Sequence, residues 1–332
     1  MKKYSVAVVG ATGAVGQEMI SILEERNFPI SQIKFIASSR SEGKLLSFRN
    51  ERIKVETIDK KTFNDIDIAL FSIGSSLSKK YALQAASSGA VVIDNSNAFR
   101  MAEGVPLIVP EINHSKINEH KGIIANPNCS TIQLVMALNN IYKKYGIKRL
   151  IVSTYQAVSG TGQKAINELN EQVQNYVDKN KIKNKVYPHQ IAFNLLPHID
   201  DFQENGYTRE EMKVLRETRK IFDDNTLAIT TTAVRVPVFY GHGESVNVQT
   251  KDDFHIEDVK KIINEQKNVK VVDDPKDNKY PMPILVEEDD NVLVGRIRRD
   301  YSKDNALNMW VVANNLRKGA ALNAVQIAEK LV

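Results

Sequence analysis

Cysteine is almost absent, since Cys129 is the only one among 332 residues. A lone thiol cannot close an intrachain disulfide, so the fold must be held by its core. The six histidines, His114, His120, His189, His198, His242 and His255, lack zinc-ligand spacing, and no metal site is expected. No apolar run approaches the roughly 18 residues that span a bilayer. The start, MKKYSVAVVG, runs straight into a glycine-rich loop without a small-residue cleavage site, so a cytoplasmic protein is expected. Low-complexity segments are missing, which argues against disorder. Nor is there a strong charge bias: 45 Lys and Arg against 40 Asp and Glu leave +5. The basic clusters KNKIKNK and RIRRD have no interleaved aromatics, so nucleic acid is a poor partner and a small anionic ligand a better one.

What is present points to two domains, because single cores stop growing near roughly 250 to 300 residues. YSVAVVG (Tyr4 to Gly10) is a valine-rich run suited to a strand buried on both faces, and GATGAVG (Gly10 to Gly16) follows at once. QEMISILEERNF then carries apolar residues at helical spacing, so the glycines join a strand to a helix, as a phosphate loop requires. Thr12 stands where the second glycine of G-x-G-x-x-G would be. The backbone at Gly10, Thr12, Gly13, Ala14 and Val15 is expected at a pyrophosphate. The next strand, IKFIA, ends about 20 residues past the loop, where an acid would meet a ribose 2′-hydroxyl. It ends instead in Ser38, Arg40 and Ser41, which suits a 2′-phosphate and predicts NADP rather than NAD.

Further strands are expected at Asp65 to Gly74, Ala90 to Asp94 and Gly122 to Asn126, with a helix from Lys79 to Gly89. A Rossmann-type doubly wound parallel sheet results, with Ser72, Gly74, Asn95 and Cys129 just past strand ends, where ligands gather. ANPNCSTIQ places Cys129 at a strand-to-helix turn. Unpaired N–H groups and the positive end of the dipole favour a thiolate there. The competing reading is a small buried hydrophobe.

From Leu150 the pattern changes, and a second α+β domain with a largely antiparallel or mixed sheet is expected. RLIVSTYQAVSG reads as a strand, and residues 162 to 181 as an amphipathic helix. TLAITTTAVRVPVFYGHGESVNVQT reads as two paired strands turning at YGHG. VKKIINEQ reads as a helix, and PILVEED, NVLVGRIRRD and LNMWVVAN as strands. The domains are drawn as 1–128, completed by a helix at 315–332, and 129–314.

GATGAVG, ASSRS, ANPNCSTIQ, STYQAVSG, VRVPVFYGH and KGAALNAVQIAE, in that order, make the chain resemble the aspartate-semialdehyde dehydrogenase family over essentially its whole length. The resemblance implies NADP-dependent interconversion of L-aspartyl 4-phosphate and L-aspartate 4-semialdehyde through a cysteine thioester. That step serves lysine, diaminopimelate, threonine and methionine biosynthesis, in a homodimer or homotetramer. It makes Cys129 the nucleophile, His242 an acid–base group trading a proton near neutral pH, and Gln156 the amide that orients the acyl intermediate. Arg235 would hold the substrate carboxylate, Glu210 its ammonium, and Arg100 and Lys213 the phosphate. Asn128 would help place phosphate or oxyanion, Asn323 would meet the nicotinamide amide, and Gly160 would lie at the cofactor. On pattern alone, Arg235 reads equally as an exposed strand residue, His242 as a turn residue, and Glu210 with Lys213 as a surface ion pair. An N-acetyl-glutamyl-phosphate reductase-like enzyme and a non-catalytic NADP-binding relative stay open as alternatives.

Overall fold

Tyr4–Val9 forms β1, the middle strand of a seven-stranded sheet in this computed structural model, which describes residues 2–287 and 289–332. Alternate side chains of β1 serve opposite faces: Val6 and Val8 enter one core, Ala7 and Val9 another. Such a strand needs helices on both sides. Ala14–Glu25 (α1) follows β1, then Ile30–Ile36 (β2), Leu45–Phe48 (β3), Glu51–Glu56 (β4) and Ile68–Phe71 (β5). Ser75–Ser87 (α2), Val91–Asp94 (β6), the short Pro110–Asn113 (α3) and Ile123–Ala125 (β7) complete the run. The order is β3-β4-β2-β1-β5-β6-β7, parallel throughout except for β3 against β4.

The β3–β4 hairpin is absent from the sequence reading. Its two-residue turn, Arg49 and Asn50, has φ of 48° and 66°. Positive φ at both positions is what a tight hairpin demands, but the usual Asn-Gly or Asp-Gly signal is missing. The expected strand at 65–74 shrinks to four residues, and α2 starts four residues earlier than expected.

Chain contacts divide the protein into two units, Met1–Asn128 with Ala320–Val332, and Cys129–Gly319. In the second, Cys129–Tyr145 (α4), Ile147–Gln156 (β8), Gln163–Val177 (α5), Arg209–Phe222 (α6) and Ala228–Arg235 (β9) come first. His242–Thr250 (β10), Ile256–Asn264 (α7), Val269–Val271 (β11), Val292–Arg299 (β12) and Ala306–Ala313 (β13) follow. These strands make a six-stranded mixed sheet in the order β11-β12-β13-β10-β8-β9. α4 runs along it between α6 and α7.

Two sequence expectations are corrected here. β9 and β10 do not pair with each other, because β8 lies between them, parallel to β9 and antiparallel to β10. The connection VPVFYG is long enough to step over one strand, and periodicity says nothing of partners. Of the expected strand PILVEED, Glu288 lies outside the described residues, and Pro283–Val286 is a single 3₁₀ turn opened by proline rather than a strand. The closing helix is also shorter than expected. A π turn at Arg317–Ala321 precedes Leu322–Ala328 (α8), whose apolar residues join the core beside β1 and α1.

Candidate active site

In the first unit the glycine-rich loop is a tight turn between β1 and α1. Gly10 has φ of 91°, and a Cβ there would collide with the Ser72 carbonyl oxygen. A Cβ on Gly16 would collide with the carbonyl of Gly10, so the loop folds back under α1 only with glycine at both places. Gly13 is the N-cap of α1 and supplies no side chain, and the first turn holds no acid. The N–H groups at Ala14 and Val15 therefore begin a helix end open to an anion. A cavity of about 460 Å³ opens here, lined by Gly10, Thr12, Gly13, Ser38 and Ser72 among others.

Ser39–Ser41 is a 3₁₀ turn with Arg40 exposed, and Thr12 Oγ1 lies 3.2 Å from Ser41 Oγ, tying loop to turn. Among the described residues no acidic side chain lines the cavity, so these residues fit a nucleotide bearing a 2′-phosphate. Gly74 opens α2. Beside it the buried Asp94 accepts hydrogen bonds from Ser78 Oγ at 2.6 Å and Ser96 Oγ at 2.8 Å, fixing α2 to the strand end that carries Asn95. Burial raises the Asp94 pKa, and these hydrogen bonds oppose it.

The strand ends also carry a polar network centred on Asn126, which the sequence reading missed. Arg100 donates from Nε to Asn126 O and from Nη2 to Asn95 O, both at 2.9 Å. Asn126 Nδ2 donates to Asn95 Oδ1 and to Ala320 O. Asn323 is fully buried and donates to Ile108 O at 2.9 Å and Asn126 Oδ1 at 2.7 Å. Asn128 is buried at the end of this unit. ANPN, the run ahead of the thiol, was the available signal for Asn126.

In the second unit Cys129 is the first residue of α4 and is half-buried. Ser130 Oγ accepts from Gln156 Nε2 at 3.0 Å, and the same amide reaches Thr154 Oγ1 at 3.2 Å and Glu210 Oε1 at 3.1 Å. Gln156 pairs in register with Arg235, and the register of β8 with β10 puts His242 on its other side. Arg235, Gln156 and His242 are thus neighbours on three adjacent strands, all buried.

The peptide of Ala157 braces two of them. Arg235 Nη1 donates to Ala157 O at 2.7 Å, and Ala157 N–H donates to His242 Nδ1 at 3.1 Å. Gly160 stands against both: a Cβ there would lie 3.0 Å from Arg235 Nη1 and 3.2 Å from His242 Nε2. Arg235 Nε and His242 Nε2 are buried with no hydrogen-bond partner among the described residues. Because Nδ1 accepts, the neutral imidazole carries its proton on Nε2. Burial and then the nearby Arg235 charge lower the His242 pKa to about 3, with Glu210 pulling the other way. The imidazole is therefore neutral at physiological pH, which corrects the expectation of a group titrating near neutrality.

α6 presents the charged pair. A capping box closes its first turn, with Glu211 N donating to Thr208 Oγ1 and Thr208 N to Glu211 Oε2. Glu211 Oε1 also accepts from Ala233 N at 2.9 Å, clamping the helix to β9. Glu210 then turns to Gln156, and Lys213 Nζ lies 3.0 Å from Glu210 and 2.8 Å from Asp200. Burial disfavours the Lys213 charge, but the two carboxylates outweigh it and raise its pKa. The ionised Lys213 is two-sided, so this is not a plain surface pair. The Ala157 backbone and Ser130 had no side-chain signature in the sequence as contributors.

Comparison with known proteins matches residues 5–120 to "Semialdehyde dehydrogenase, NAD binding domain" and residues 138–318 to "Semialdehyde dehydrogenase, dimerisation domain". The aspartate-semialdehyde dehydrogenase of Aquifex aeolicus is 54% identical over 99% of this chain and 98% of that protein. That of Legionella pneumophila is 51% identical over 99% and 96%. A crystal structure of aspartate semialdehyde dehydrogenase II from Vibrio cholerae complexed with ASA superposes with a TM-score of 0.97 at 45% identity, covering 100% of this chain and 98% of that one. The Candida albicans enzyme, solved with NADP, gives a TM-score of 0.76 at 25% identity, covering 99% and 98%.

Proposed function

The chain belongs to the semialdehyde dehydrogenase family, and from that premise we propose that it reduces L-aspartyl 4-phosphate to L-aspartate 4-semialdehyde and phosphate, with NADP as its cofactor. It is an oxidoreductase of amino-acid biosynthesis, upstream of lysine, diaminopimelate, threonine and methionine.

The Cys129 thiolate, favoured at the start of α4, attacks the acyl carbon; an S–C bond forms, the C–O bond to phosphate breaks, and a thioester remains. His242 acts from its neutral form, donating a hydrogen bond from Nε2–H to the oxygen that becomes negative and keeping its proton. Arg235 takes the substrate carboxylate through its unpartnered Nε, with Nη1 held by Ala157 so that the fork does not swing. Glu210 takes the ammonium, and Gln156 orients the acyl group. Lys213, Arg100 and Asn128 hold the phosphate. Gly10, Thr12, Gly13, Ala14, Val15, Ser38, Arg40, Ser41, Ser72, Gly74, Asn95, Gly160 and Asn323 would hold the cofactor, which when bound would supply hydride to the carbonyl carbon. Collapse of the resulting Cys129 thiohemiacetal breaks the C–S bond, frees the aldehyde and restores the thiolate.

The observation that carries this reading is the pair of buried, unpartnered donors, Arg235 Nε and His242 Nε2, braced by one peptide on the sheet beside Gln156 and Ser130. The assay offers aspartate semialdehyde with phosphate and NADP, and N-acetylglutamate semialdehyde as the control. NADPH formation with the first alone, and only with phosphate present, is expected; formation with the control alone overturns the substrate. The matched dimerisation domain supports a homodimer as the smallest assembly, and the biosynthetic role supports a cytoplasmic setting.

A further inference from the structure

Glu244 takes no part in the chemistry just described, yet it lies two residues from His242 on the same face of β10. It is wholly buried, and neither carboxyl oxygen has a hydrogen-bond partner among the described residues. In register it lies between Thr154 of β8 and Val311 of β13, neither of which ionises. The side chain that reaches it is Gln133 of α4, four residues and therefore one turn beyond Cys129, on the same side of the helix. The Gln133 Nε2 is also buried without a hydrogen-bond partner. Burial drives the Glu244 pKa well up, and the Gln133 amide is the one group acting against it. No charged side chain offsets that burial, and His242, the titratable neighbour on its own strand, is neutral.

An un-ionised carboxyl offers an O–H donor and a carbonyl acceptor, and a primary amide offers both kinds of group as well, so the two can pair reciprocally. A carboxylate offers acceptors only, and would leave a buried charge with one neutral amide for company. We propose that Glu244 is a positioning residue, an un-ionised carboxyl that pairs with the Gln133 amide and so ties the Cys129 end of α4 to the strand carrying His242. The inference rests on Cys129 and His242 acting together as proposed above. Its consequence is twofold: the thiol keeps its distance from the imidazole, and Glu244 adds no negative charge to the Cys129 end of the helix.

The test uses the full chain and three variants, Glu244→Gln, Glu244→Leu and Gln133→Met. Infrared spectra at neutral pH should show a protonated-carboxyl stretch in the wild type that disappears in E244Q. The pH midpoint for alkylation of Cys129 by iodoacetamide, which needs no turnover, should be the same in E244Q as in the wild type. E244L and Q133M should each lower kcat by about tenfold or more with the NADP KM unchanged, since small misplacements of reacting groups are costly in rate. E244Q should rescue that loss. Folding stability offers a check independent of activity. The folded chain keeps a proton on Glu244 that the unfolded chain releases above pH 4.5, so wild-type stability is eroded as pH rises. E244Q should therefore gain on the wild type between pH 5 and pH 8, a range of about 3 units over which a normal carboxylate gives a constant difference. A lowered alkylation midpoint in E244Q, or a missing infrared band, overturns the un-ionised carboxyl. Wild-type kcat in Q133M overturns the positioning role, even where E244L fails to fold. Loss of turnover in every protein including the wild type refutes the proposed function, while the infrared and alkylation results still decide the state of Glu244.

Discussion

Cys129 shows how much one residue's chemistry owes to its place. As the first residue of α4 it meets the positive end of a 17-residue helix. Cys129→Ser keeps size and hydrogen bonding but removes the proposed nucleophile, so turnover should fall by roughly three orders of magnitude or more while NADP binding persists. Fluorescence titration with NADPH beside a turnover assay checks both halves. His242 makes a second residue-scale prediction. Its folded pKa of about 3 lies below the ordinary 6.5, so between those values the unfolded chain holds a proton that the folded chain refuses. Its contribution to stability is complete above pH 6.5 and is lost as pH falls toward 3. His242→Asn should flatten the pH dependence of the urea midpoint in that window by about one proton, and an unchanged slope would contradict the buried neutral imidazole. Cys129 was legible because it is unique and framed by strand and helix patterns. The protonation of His242 was not, because burial and the Arg235 charge come from other strands.

Elements, more than single residues, decide which of these groups meet. α6 reaches the sheet through its capping box, and Thr208→Ala should cost about 1 kcal/mol in urea denaturation and raise the substrate KM as Glu210 loosens. The turn Ser39–Ser41 predicts cofactor preference. Arg40→Glu should weaken NADPH by roughly tenfold or more while sparing NADH, as expected for loss of a charge-assisted bond, and equal losses would refute the contact. The parallel half of the fold was readable where a short, mostly apolar strand runs into a helix start, as β1 does into α1 and β5 into α2. The β3–β4 hairpin was not, because Arg49 and Asn50 adopt positive φ without glycine. The order of β8, β9 and β10 was equally hidden. Alternation places side chains on a face and leaves the neighbouring strand unspecified, so Gln156 could be expected on a strand but not between Arg235 and His242.

At the scale of the whole molecule, residues 320–332 belong with residues 1–128 although the entire second unit separates them in sequence. Leu322, Val325 and Ile327 are buried in the same core as Val6, Val8 and Met19. At roughly 1.5 to 3 kcal/mol for each buried aliphatic side chain, their loss rivals the about 5 to 15 kcal/mol that stabilises a typical protein. A chain stopped at Gly319 should therefore expose its first unit to rapid proteolysis and lose NADPH affinity, though every proposed cofactor contact but Asn323 remains. Retained affinity in that truncation would show α8 to be dispensable. Synthesis on the ribosome runs in one direction, so the nucleotide-binding half stays unsealed until the half bearing the thiol has already emerged. A nascent chain thus exposes Cys129 before residues 320–332 have arrived to complete the core of its first unit.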